Sequence, residues 1–390
     1  MLYDLIFGNE STNQIDVLYE VNNTLVKEAT VARCKNGAVI NYTEDYMRRR
    51  DPDCMRIADD QPTDKPRFKD VYGYEFASLK KETCRWLSRQ ELILVPFMAG
   101  GHEYGYPALL VCPRNAAFFA FALSQLQAFV NAKKVKGFKP RAVVYVAPPF
   151  RHTHFKGKQV CVHNRLEDRH EIFAYNLYPG PSAKKGIYSV LLDIGEQEGW
   201  VTAHASAAKI ITPYENEMVM MHEGASGGGK SELLQDVHRV PDGRVLLGTN
   251  IETGEKNYLH MSDTCTIHPV TDDMAICHPS FQNGSGKLAL YDGEDGWFLR
   301  VDGITEYGSD PMYERITIHS KEPLVFFNIQ GVPTSTCLVW EHTLDSDGTP
   351  CPNPRVIVPR KMVDNIVKKP VEVDVRSFGV RMPPTTAANP

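Results

Sequence analysis

The segment Gly224-Ala-Ser-Gly-Gly-Gly-Lys-Ser231 constrains this chain more than any other stretch. It satisfies the pattern G-x-x-x-x-G-K-[ST] at every fixed position, and such a loop works between a strand and a helix. The apolar run Glu217-Met-Val-Met-Met221 stands before it, and Glu232-Leu-Leu-Gln-Asp-Val237 can open a helix behind it. Glycines let successive backbone N–H groups turn toward an anion without Cβ clashes. The helix N-terminus adds partial positive charge. Lys230 adds a full charge, and the Ser231 hydroxyl can ligate a divalent metal. The expected phosphate-binding residues are therefore Gly224, Ala225, Ser226, Gly227, Gly228, Gly229, Lys230, Ser231 and Glu232. A flexible Gly-rich turn without a ligand is the competing reading.

At 390 residues the chain has room for two domains or one large α/β unit. Its formal net charge of −5 gives no global positive field, which argues against a general nucleic-acid binder. Nine cysteines form no CxxC pair, and their odd number and irregular spacing suit reduced thiols better than a disulfide framework. The zinc alternative, Cys265, His268, Cys277 and His278, follows no common ligand spacing. The N-terminal ten residues lack a basic start followed by an apolar core, and no run approaches 18 apolar residues. These features predict a cytoplasmic protein with neither membrane nor nucleic acid as partner.

Residues 41–70 are polar and charged, including Arg48-Arg49-Arg50, and read as an exposed loop region. Glu91–Phe97, Ala108–Cys112 and Ala142–Ala147 read as buried strands. Asn115 is placed to cap a helix reaching Val130, with Phe118, Ala122, Leu126 and Val130 on one core-facing stripe. Lys133, Lys134, Lys136 and Lys139 follow its end, where cations complement the helix dipole. After the Gly-rich loop, strand candidates recur at Val245–Leu247, Met274–Cys277, Trp297–Val301 and Leu324–Phe327, separated by Asp-Gly and Asn-Gly turns. This second half is strand-rich, unlike a doubly wound sheet. The expected class is α/β of the mixed α+β kind, with a boundary dividing the chain into 1–205 and 206–390.

A second set of segments carries a family resemblance. Lys184-Lys185-Gly186-Ile187-Tyr188 and His204-Ala-Ser-Ala207 precede the loop in that order. Asn353-Pro-Arg-Val-Ile-Val-Pro359, running on to Asn365-Ile-Val367, and Phe378-Gly-Val380 with Pro383-Pro384 follow it. The series resembles phosphoenolpyruvate carboxykinase, whose K-K-G, H-[AC]-S-A, G-x-S-G-x-G-K-T, N-T-R-V and F-G-V-L-P-P segments stand in the same order. Arg50-Asp51-Pro52-Asp53 is faintly similar to that family's R-S-P-K-D-K. The Gly224–Glu232 loop also looks like that of HPr kinase/phosphorylase.

The resemblance implies a two-lobed fold with the phosphate loop in the C-terminal lobe. It implies phosphoryl transfer between ATP or GTP, or pyrophosphate, and a small carboxylic-acid substrate of the oxaloacetate/phosphoenolpyruvate type, with Mg²⁺ and/or Mn²⁺. Lys185 and His204 would be metal ligands and Ser231 a further one; Lys230 and Arg355 would grip phosphoryl oxygens, and Arg50 the substrate carboxylate. The family's acid pair should follow the loop lysine by about fifteen residues, the usual metal-carboxylate partner of such loops. Gly248-Thr249-Asn250 occupies that slot, so Asp272 and Asp273 are the expected substitutes, because Mg²⁺ and Mn²⁺ require a carboxylate. A surface Asp-Asp turn is the alternative. In the family a lid and adenine pocket follow F-G-V-L-P-P, whereas this sequence stops at Pro390. A separate chain supplies that part, the chain is truncated, or the donor is not held by its base. Two further expectations stay open: a kinase of a protein or small-molecule hydroxyl, and a nucleotide-binding module without catalysis.

Overall fold

The helix Ala117–Leu126 has the sequence AFFAFALSQL, apolar on every side, and all of its residues except Ser124 are buried. An all-round apolar helix needs partners on more than one face. In the computed structural model it lies against strands of two different sheets. The structure describes residues 2–44, 51–131, 133, 137–224, 229–234, 239–240, 242–261, 263–301, 304, 306–340 and 351–378. They form a mixed α+β chain with five sheets among the described residues.

The contacts divide the chain into two compact units that do not follow chain order. The first takes Met1–Gly199 and Glu294–Met362; the second takes Trp200–Gly293 and Val363–Asn389. Residues Glu294–Met362, expected with the phosphate loop, thus group with the N-terminal part. The first crossing has a local cause. Gly199 closes the helix Lys185–Glu198 in the left-handed conformation at φ 78°, its N–H bonding to Gly195 O.

In the first unit, one sheet orders Gln14–Val21, Thr24–Cys34, Gly37–Tyr42, Leu324–Phe327, Arg355–Pro359 and Gly296–Arg300. Its one parallel junction joins Gly37–Tyr42 to Leu324–Phe327. The other sheet orders Met55–Ile57, Cys161–Arg165, His170–Ala174, Ala142–Val146, Tyr106–Pro113, Leu92–Ala99 and Ala128–Phe129. Three expectations shift here. The central helix begins after a short turn at Arg114–Ala116, and Asn115 spends its amide on Leu18 O at 3.1 Å instead of capping. It stops at Leu126, because Gln127 is extended and Ala128–Phe129 pairs with Phe97 and Met98. The polar stretch 41–70 carries the strand Met55–Ile57 and the helix Phe68–Tyr72, whose Phe68 is fully buried among Tyr72, Tyr74, Phe76 and Phe155.

The second unit has two four-stranded sheets and a hairpin. The first orders Val201–Ala203, Ala275–Cys277, Ala289–Asp292 and Val371–Glu372. The second orders Thr266–Thr271, Ala205–Ile211, Glu217–Glu223 and Val375–Phe378. Small side chains from both, including Ala203, Ala205, Ala207, Val270, Ala275 and Leu290, form a shared core. All nine cysteines are free thiols. Among the described residues no helix is long and apolar enough to cross a membrane.

Candidate functional site

The ladder of the second unit explains why distant residues meet. Ala205–Ile211 is flanked by Glu217–Glu223 and Thr266–Thr271, both antiparallel to it. The C-terminal ends of both neighbours therefore arrive at the N-terminal end of the central strand. His204 stands just before that strand, Gly224 just after one neighbour and Asp272 just after the other. The ladder continues one step past Ala205↔Glu223, with Gly224 N–H bonding to His204 O at 3.3 Å.

At this sheet end, the His204 ring nitrogen Nε2 lies 2.7 Å from Asp273 Oδ1. The Lys230 ammonium lies 3.3 Å from the same oxygen and donates to Gly224 O at 2.8 Å. The Ser231 hydroxyl donates to Asp272 Oδ1 at 2.6 Å. Lys230, Asp272 and Asp273 are buried. The loop's strand is Glu217–Glu223, and Gly229 adopts the left-handed conformation at φ 78°. Behind the loop stands a 3-10 turn, Glu232–Leu234, anchored by Leu234, which is 2% exposed. The expected helix beyond Leu234, the loop residues 225–228 and the Glu232 side chain lie outside the described residues.

The slot at Thr249-Asn250 has a different occupation. Val245–Thr249 and Lys256–Leu259 form an exposed hairpin, and Asn250 shapes its turn by accepting from the N–H groups of Glu252 and Thr253. The acids that meet the loop are Asp272 and Asp273. They sit on a two-residue corner between Thr266–Thr271 and the strand Ala275–Cys277 of the other sheet.

The first unit holds the remaining predicted residues. Lys185 opens the helix Lys185–Glu198, directly after the π-helical turn Gly180–Lys184, and its ammonium lies 5.4 Å from the Tyr188 ring centroid. Its neighbour Lys184 pairs with buried Glu294 at 3.6 Å. Arg355 donates from Nε to Asn353 Oδ1 at 2.8 Å and from Nη1 to Phe298 O at 3.3 Å, with its guanidinium 5.6 Å from the Phe298 ring. Asn353 in turn donates to the Tyr178 hydroxyl at 3.2 Å. Arg50 lies outside the described residues. The nearby acid Asp59 has a structural task, a two-oxygen grip on Arg165.

Two features escaped sequence reading. Behind the acid corner, the Thr271 hydroxyl lies 3.1 Å from the carboxylate of buried Asp292, which in sequence resembles an ordinary Asp-Gly turn. In the first unit, Cys161, His163, His170 and Asp193 form a chain of contacts at 3.7, 2.9 and 3.0 Å. Burial, with His170 and Arg165 nearby, drives the His163 pKa well below its ordinary value. Alternation on the strands Cys161–Arg165 and His170–Ala174 could have put both histidines on one face, but nothing local pairs the strands.

Among the described residues, no three His, Cys, Asp or Glu side chains gather closely enough to hold a metal by themselves. A hard divalent ion here would draw also on the Ser231 hydroxyl, phosphate oxygens and water, the usual habit of Mg²⁺ beside a nucleotide. The donors suit that role. Cis ligands of octahedral Mg²⁺ stand about 3 Å apart, near the 2.6 Å between Ser231 Oγ and Asp272 Oδ1.

A family model described as a domain of unknown function (DUF4914) matches residues 1–390, and the chain belongs to that family. No curated protein matches it.

Proposed function

We propose that this member of the DUF4914 family is a phosphoenolpyruvate carboxykinase-like phosphotransferase, related to that superfamily in fold and dependent on a nucleotide and a divalent metal. The observation that carries the proposal is the meeting of Lys230, Ser231, His204, Asp272 and Asp273 at one sheet end, from three separate stretches of chain. Local structure obliges none of them to meet. Together they supply a cation for phosphoryl oxygens and hard donors for Mg²⁺ or Mn²⁺.

In this reading Ser231, Asp272, Asp273 and His204 hold the metal, with Lys185 of the first unit added by resemblance. A bound metal would polarise phosphoryl oxygens and stabilise an enolate oxygen. In the forward reaction the bond to the departing carboxylate of oxaloacetate breaks, releasing CO₂ and leaving its electron pair in the enolate. The enolate oxygen attacks the γ-phosphorus as the bond to the β-phosphate oxygen breaks. Lys230 offsets the charge that shifts across the phosphoryl group. Arg355, oriented by Asn353, offers a planar fork that matches phosphoryl oxygens better than a lysine would.

The test is a substrate screen in Mn²⁺, scoring oxaloacetate-dependent consumption of ATP, GTP or pyrophosphate together with CO₂ release, with Lys230→Ala as control. Consumption with oxaloacetate that is lost in the control supports the proposal. A second reading has its own support: the loop, both aspartates and His204 all belong to the second unit, the equipment an HPr-kinase-like enzyme needs for a hydroxyl acceptor. Consumption that ignores oxaloacetate but follows a protein or small-molecule hydroxyl selects that reading. Nucleotide binding without turnover leaves a binding module. Failure to bind any phosphate ligand overturns all three.

A further inference from the structure

We infer that Asp292 is a positioning residue for the Asp272–Asp273 corner, acting through the hydroxyl of Thr271; the inference rests on the proposed metal and phosphate site. Thr271 is fully buried, pairs with Ala207 at the end of its strand, and immediately precedes the two acids. Its hydroxyl lies 3.1 Å from Asp292 Oδ1 and 3.1 Å from Met274 O. Met274 O also accepts from Gly293 N–H at 2.8 Å, and Ala275 pairs with Asp292. Both ends of the corner are thus fastened to the same two residues, Asp292 and Gly293.

The fastening is close. A Cβ on Gly293 would stand 3.0 Å from an Ile276 methyl and 3.2 Å from Met274 O, so a larger residue would push the two strands apart. Asp292 itself is 1% exposed. Burying a carboxylate is a costly way to fill space, and an apolar side chain would fill it at less cost. What an apolar side chain cannot do is accept from Thr271 and fix the rotation of the segment beyond it. The two acids on that segment face different partners, Asp272 toward Ser231 and Asp273 toward His204 and Lys230. A small rotation of the corner would misplace both, and sites of this kind require placement within about 0.5 Å.

The experiment titrates full-length protein with Mn²⁺ alone and with Mn²⁺–ATP, beside a thermal melt of each variant. Thr271→Val removes the hydroxyl while keeping the shape and should weaken Mn²⁺ binding about 10–100-fold, the usual effect of removing a group that orients metal ligands. Thr271→Ser should bind as wild type. Asp292→Asn keeps an acceptor for Thr271 and should stay within about threefold of wild type. If turnover is measurable, the loss in Thr271→Val should fall on the KM for Mn²⁺, an effect that lowered stability alone does not produce. A folded Thr271→Val that binds Mn²⁺ as wild type overturns the inference alone. Should Thr271→Val fail to fold, Asp292→Asn decides: wild-type binding supports positioning, and a tenfold or greater loss assigns the charge a direct role and overturns it. Wild-type protein that binds neither Mn²⁺ nor Mn²⁺–ATP overturns the proposed function, and this inference with it.

Discussion

Replacing Lys230 with methionine should make the protein bind Mn²⁺ more tightly while it loses nucleotide. The ammonium sits 3.3 Å from Asp273 Oδ1, and the two side chains are only 6% and 13% exposed. A divalent ion that uses Asp273 must displace this ammonium or share the oxygen with it. Unit charges at that separation attract by about 5 kcal/mol at an effective dielectric of 20. Desolvation of the pair offsets much of that. Since His204 stays bonded to the same oxygen, we take a net gain on the order of 2 kcal/mol, about 30-fold in Mn²⁺ affinity. Nucleotide should bind at least about 100-fold more weakly, because the charge aimed at its phosphates is gone. The assay is Mn²⁺ titration followed by electron paramagnetic resonance, with and without ATP, at low ionic strength so that screening does not mask the effect. By linkage, a nucleotide that draws Lys230 off Asp273 should tighten metal in the wild type and not in the variant. Equal or weaker Mn²⁺ binding by a folded Lys230→Met protein would show that the ammonium and the metal do not compete for Asp273, and the reasoning would fail.

Other outcomes follow from the same structure. Lys185→Met should abolish oxaloacetate-dependent turnover yet leave ATP binding within about twofold, because the residues assigned to phosphate lie in the other unit; isothermal titration of the variant checks this, and lost ATP binding would contradict it. His163, held neutral by burial, should make the protein less stable in acid. The unfolded chain takes up a proton near pH 6.5 that the folded one refuses, so stability is full above that pH and declines below it, by at most about 1.4 kcal/mol per pH unit. Urea melts between pH 7.5 and 5 should show this slope and its flattening in His163→Asn; identical slopes would refute it. Gly296→Ala should cost about 1–3 kcal/mol, since its Cβ would lie 2.1 Å from Gln125 O, a backbone atom that cannot rotate away. A melting temperature unchanged from wild type would contradict that.

The sequence made the phosphate loop and most strands legible, for local reasons. Alternation and apolar runs put strands at Leu92–Ala99, Tyr106–Pro113, Ala142–Val146 and Leu324–Phe327, close to where they were expected. Charge reasoning picked Asp272 and Asp273 over Thr249 and Asn250, because a metal needs carboxylate wherever it falls in the chain. The failures came from long-range packing. Nothing near Gln127 says that the helix must stop for Phe129 to join a sheet edge. Nothing in the polar stretch 41–70 advertises that Phe68 anchors an aromatic cluster. The return of Glu294–Met362 to the first unit was hidden for the same reason. Gly37–Tyr42 takes Leu324–Phe327 as its parallel neighbour, a pairing between segments far apart in the chain.

The ladder around Ala205–Ile211 also changes what counts as spacing in this protein. His204, Gly224 and Asp272 are brought together by strand register, so the number of residues joining Ser231 to Asp272 carries no geometric meaning. That connection can lengthen, as the exposed hairpin Val245–Leu259 illustrates, at only about 0.6 kcal/mol of closure entropy per doubling. A slip of one residue between Ala205–Ile211 and either neighbour is another matter. It would turn every side chain of the slipped strand to the opposite face and carry an acid or the loop about 3.3 Å along the sheet. The site is therefore tolerant to insertion and intolerant of misregistration. A motif search that fixes distances along the chain will overlook relatives that keep the ladder and vary the connection.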